Sequence, residues 1–131
     1  MRTQAKACVA GLFFLLWGAP AAQAQFRSLE KDDLRLVYFH PSATFLVPHV
    51  ARSFANSMRF HRALFDYRPK EKVTVLLTDF SDYGNAGATS VPRPSVNVRI
   101  APLSFAFETF AANERMNTLM NHELVHVVAM D

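Results

Sequence analysis

Leu34-Arg35-Leu36-Val37-Tyr38-Phe39 and Val73-Thr74-Val75-Leu76-Leu77-Thr78 are the two ends of the stretch that decides the fold. The first is half alternating and rich in β formers, so it reads as a strand. The second is a continuous apolar run bounded by loops, which reads as a buried strand. Between them, His40-Pro41-Ser42 forms a turn. Ser42 or Thr44 then caps a long helix running to about Phe65, with Pro48 accommodated in its first turn. Val47, Val50, Phe54, Met58 and Phe65 recur at three-, four- and seven-residue steps, which is one helix face. His49, Arg52, Arg59 and Arg62 fall together on another face, readable as an anionic-surface contact or as a solvated helix side. Strand, helix and strand in that order predict a right-handed crossover between parallel strands.

Working outward, Gln25 to Asp33 is polar and reads as a loose lead-in. Tyr67 to Lys72 is a charged loop, and Asp79 to Ser95 is a long loop holding Gly84, Gly87, Pro92 and Pro94. A loop of that size in a compact domain is commonly a cleft rim. Its Gly84-Asn85-Ala86-Gly87 lacks the spacing of a phosphate loop. Val96-Asn97-Val98-Arg99-Ile100 alternates cleanly and predicts a strand with one wet face, placed by its flanking prolines at a sheet edge. Phe105, Phe107 and Phe110 in the following linker read as core plugs. The expected class is α+β: a mixed sheet of about three to four strands, a long backing helix and a final helix.

That final helix carries the chemistry. Asn113 is its expected cap, and Glu114 suits the helix dipole. Met116, Leu119, Met120, Leu124, Val127 and Val128 supply its buried side. His122-Glu123-Leu124-Val125-His126 spells H-E-x-x-H. Histidines four apart lie one above the other, so both imidazoles reach one zinc ion, with the glutamate between them as general base. Three fixed residues in five arise by chance in roughly a few chains per thousand of this length. The uncharged neighbours Leu119, Met120, Asn121, Val127 and Val128 sharpen the signal, because a charged residue beside a buried site would itself be buried unpaired. The competing reading is a helix with two solvated histidines. His40, His49 and His61 read as surface or capping histidines rather than further ligands.

The first 24 residues read as a targeting segment. Arg2 and Lys6 precede an uncharged run centred on Gly11-Leu12-Phe13-Phe14-Leu15-Leu16-Trp17, then Gly18, Pro20 and the small-x-small site Ala22-Gln23-Ala24. This predicts a secretory signal peptide cleaved after Ala24, hence export to the periplasm or the medium. The apolar run is shorter than the roughly 20 residues of a membrane span. Without residues 1–24 the 14 basic and 11 acidic residues become 12 and 11, and the net charge falls from +3 to +1. No nucleic-acid partner follows from so small a charge. Cys8 and Trp17, each the one residue of its kind, leave as well, so stability must come from packing rather than disulfides.

In element order and in Asn121 to Val128 the chain resembles the N-terminal lobe of the zincin metallopeptidases, and within them the gluzincins of the bacterial peptidase-MA-like group of exported proteins. The resemblance implies a peptide or protein substrate, His122 and His126 as zinc ligands, and Glu123 as the base that activates the attacking water. It implies a third ligand, a glutamate on a following helix, which nothing in this sequence matches. The metzincin pattern needs a third histidine six residues after the second, and the sequence ends at Asp131, five residues after His126. Residues 25–131 are therefore expected to be the N-terminal part of the peptidase domain, inactive alone, with a further domain such as a β-propeller beyond it. Strand Val96–Ile100, if it borders the cleft, is expected to hold an extended peptide by strand addition. The runner-up function is a non-catalytic, peptidase-like binding module of the cell envelope. The third is a small exported α+β domain with a coincidental motif.

Overall fold

The computed structural model describes residues 25–78, 85–100 and 115–131. The expected signal peptide of residues 1–24, the expected aromatic linker and the expected Asn113 cap lie outside the described residues. The fold is α+β: a mixed sheet of five strands with two helices on one face. The strands are β1 (Gln25–Lys31), β2 (Leu34–His40), β3 (Val73–Thr78), β4 (Asn85–Thr89) and β5 (Ser95–Arg99). The helices are α1 (Val47–Phe65) and α2 (Arg115–Met130). Strand order across the sheet is β1-β2-β3-β5-β4.

The expected parallel pair is present. β2 and β3 run parallel, with Leu34 opposite Val73 and Leu36 opposite Val75, and α1 crosses between them. Leu34, Leu36, Val73, Val75, Leu77, Val96 and Val98 are buried at alternate positions, so all point to one face. Val50, Phe54 and Met58 of α1 and Met120, Leu124 and Val127 of α2 meet them there. Each such side chain contributes about 1.5–3 kcal/mol by leaving water. No helix among the described residues is long and apolar enough to cross a membrane.

The sheet has five strands where three to four were expected, and β1 and β4 are the two that were not read as strands. Gln25–Lys31 is not a loose lead-in but β1, antiparallel to β2. Its sequence is polar on both faces, so no periodicity announced it. The two-residue turn Asp32-Asp33, with Asp32 in the left-handed region at φ 49°, brings it back onto β2. Phe26 lies against Phe39 with ring centroids 4.0 Å apart, and Arg35 donates to Glu30 at 2.8 Å across the pair. Similarly, part of the expected long loop is β4, antiparallel to β5. Asn-Ala-Gly-Ala-Thr has weak β propensity, and its pairing partner supplies the order.

β4 displaces the predicted edge. Ser95–Arg99 lies between β3 and β4 and is internal. Pro92 and Pro94 do not contradict this, because they precede the strand, and the Pro94 carbonyl accepts from Thr74 N–H at 3.0 Å.

α1 begins later than its expected caps. Thr44–Leu46 is a 3₁₀ turn, and no side chain caps either segment. The Thr44 hydroxyl is held instead by His40 Nδ1 at 2.9 Å. Pro48 does lie in the first turn. Of the expected apolar face, Val50, Phe54 and Met58 are buried, whereas Phe65 is half exposed at the helix end. Asp66 closes the helix at φ 49°, a left-handed position that Asp tolerates. The loop that follows is tied to the end of α2: Tyr67 Oη donates to the Asp131 carboxylate at 2.7 Å, and Lys70 Nζ to its carbonyl at 2.7 Å.

Candidate metal centre

On α2, Met120, Glu123, Leu124 and Val127 are buried, a stripe at steps of three, four and seven. His122 and His126 lie off that stripe and are exposed. Their rings are neighbours, with centroids 5.1 Å apart and planes at 78°. One turn of helix places both imidazoles side by side on the solvent side. The glutamate does not share the exposed histidine side but turns inward, 6% exposed. Among the described residues its carboxylate has no hydrogen-bond or ion-pair partner.

The local sequence explains how a helix carries this arrangement. α2 packs against β4 and more lightly against β5. The helix-facing positions of β4 are Ala86 and Ala88, opposite the buried Val98 and Val96. These short side chains let the helix approach the last strand closely, and they are half-buried against the core.

On its other side α2 packs against α1. His61 of α1 is buried in that seam at 1% exposure, which corrects its expected place on the polar side. Its Nε2 lies 3.0 Å from the backbone oxygen of Asn121. A carbonyl only accepts, so Nε2 carries the hydrogen. Nδ1 is buried without a partner. The ring stacks on Phe65 at 5.8 Å and meets Phe60 edge-on at 5.4 Å. The signal was present in the sequence: His61 follows Val50, Phe54 and Met58 on their own helical stripe. His49, Arg52 and Arg59 are exposed as expected, while Arg62 is half-buried and pairs with Asp33. His40 ends β2 and bonds Thr44, away from the motif.

Beside His122, α1 and α2 border an open hollow of about 650 Å³ whose lining includes Asn56, Phe60, Asn121 and Val125. Two adjacent, solvent-reachable imidazoles on a rigid helix fit the two-nitrogen part of a zinc site. Among the described residues no third His, Cys, Asp or Glu joins them. No family model matches the chain, and neither curated proteins nor solved structures return a match.

Proposed function

We propose that the chain carries the motif helix of an exported zinc-dependent metallopeptidase. The observation that carries this reading is the pairing of two imidazoles on one turn of α2: His122 and His126 stand side by side, reachable from solvent. His122 and His126 would hold the ion as neutral imidazoles. Zinc, when bound, supplies Lewis acidity toward water and toward a peptide carbonyl. Glu123 takes a proton from the attacking water and delivers it to the leaving amine. β4, rather than Ser95–Arg99, offers the sheet edge nearest α2 for an extended peptide. The resemblance to gluzincins and the leader of residues 1–24 support the same reading and an exported location.

Cobalt titration tests it. The visible absorption of a nitrogen-ligated Co²⁺ should develop with the parent chain and with Glu123→Gln, and be lost in His122→Ala and in His126→Ala. Equal signals from all four would overturn the ligand assignment. Where peptide hydrolysis is measurable, Glu123→Gln should abolish it with metal still bound, and full turnover would overturn the base assignment.

One observation favours the second reading, a peptidase-like binding module without catalysis. Two ligands, not three, are present among the described residues. That reading predicts the same cobalt signal and no dependence of peptide binding on Glu123.

A further inference from the structure

β1 is an outer strand of the sheet, and α1 runs beneath β2 rather than beneath β1. The underside of β1 is consequently left open as a groove of about 570 Å³ between the strand and α1. Its apolar floor includes Leu29, Val47 and Ala51, and its rim carries Lys31, Arg52 and Arg59. Leu29 sits opposite the buried Leu36, so Arg27, Leu29 and Lys31 all face this helix side.

The charge here is unbalanced. Arg27, Lys31, Arg52 and Arg59 form no ion pair among the described residues. Among the described residues Arg59 bonds only the neutral Asn56. Asp33 is already taken by Arg62, leaving Asp32 as the one unpaired carboxylate lining the groove. Four unpaired cations therefore gather on one side of a chain whose residues 25–131 carry a net charge of only +1.

We propose that this groove docks an acidic peptide segment of a partner protein, laid along β1 as a sixth strand. Three features select that occupant. The unpaired cations select negative charge. The apolar floor selects an anion that also carries hydrophobic side chains. The outer edge of β1 pairs with no strand among the described residues, so seven residues of backbone are available to an extended chain. Side chains of an added strand alternate, and every second one enters the groove. Those positions meet Arg27, Leu29 and Lys31 in turn, which prescribes the pattern acidic-x-apolar-x-acidic. The groove acts separately from the motif helix, and its occupant is bound whether or not His122 and His126 hold metal.

Fluorescence anisotropy of the chain with a labelled peptide of repeating Glu-Ser-Leu-Ser tests this. Saturable binding is expected, weakening as ionic strength rises from about 0.05 to about 0.5 M. Arg52→Glu combined with Arg59→Glu should weaken it about tenfold or more, and Arg99→Glu on the opposite face should leave it unchanged. Lys31→Glu, on an exposed strand position, should weaken it as well and carries the test if the double variant does not fold. Equal binding of a Lys-Ser-Leu-Ser peptide, or unchanged affinity in the charge reversals, would overturn the proposal. So would indifference to the peptide with co-sedimentation on phosphatidylglycerol vesicles, which would make the patch a membrane contact instead.

Discussion

His61 of α1 donates a hydrogen bond from Nε2 to the backbone carbonyl of Asn121 on α2, at 3.0 Å, one residue before His122. A side chain of the first helix thus holds the second at the turn where its imidazoles emerge. His61→Ala should remove both that bond and a buried ring, destabilising the chain by about 2–3 kcal/mol. His61→Gln retains a donor on a similar reach and should cost about 1 kcal/mol. Urea unfolding of the three proteins checks the order, and an Ala variant as stable as the Gln variant would sink the positioning role.

Glu123 is 6% exposed and shares the buried stripe of Met120, Leu124 and Val127. Glu123→Met adds apolar surface to that stripe and should stabilise the metal-free chain, by about 1 kcal/mol, while removing any hydrolytic activity. A lower melting temperature in Glu123→Met would instead reveal a structural role for the carboxylate.

Neighbouring residues of β4 should respond in opposite ways. Nothing lies within 4 Å of a Cβ placed on Gly87, and its φ is not positive. Gly87→Thr adds β propensity on an open face and should stabilise by about 0.5–1 kcal/mol. Ala86→Leu pushes into the seam with α2 and should destabilise by about 1–3 kcal/mol. Thermal unfolding of the two variants separates the outcomes.

Glu30 ties the stability of the sheet to pH. Hydrogen bonds from Lys72, then Arg35, hold its carboxyl below the ordinary value of 4.5. The folded pKa lies under the unfolded one, so the contribution is present above about pH 4.5 and is lost as the pH falls through the folded value. Melting temperatures of the parent and Glu30→Gln should differ at about pH 7 and converge toward about pH 3. A gap that widens in acid would contradict the assignment.

The parallel crossover was legible because apolar spacing along α1 and the run Val73–Thr78 record which faces meet. β1 and β4 were not. Arg27, Leu29 and Lys31 against Phe26, Ser28 and Glu30 give no polar and apolar side to read, and Asn85–Thr89 lacks branched and aromatic residues. Both strands owe their order to partners distant in the chain or to a turn. At the site, the four-residue step of His122 and His126 was enough to bring the rings together. The burial of Glu123 was not legible because its polarity hides the stripe it shares with Met120 and Val127. His61 was misplaced because its polarity outweighed its position on the stripe of Phe54 and Met58.

β4 is laddered to β5 along one side, and its other side meets no strand among the described residues. Alternate backbone amides of this strand therefore belong to two populations. In deuterated water those directed at β5 exchange slowly, and those directed away exchange faster, Ala86 least so because its N–H donates to Asn85 Oδ1 at 2.8 Å. A peptide laid along that side would slow the second population and leave the first untouched. The outward amides thus record, residue by residue, whether a visiting chain is gripped by its backbone or only by its side chains.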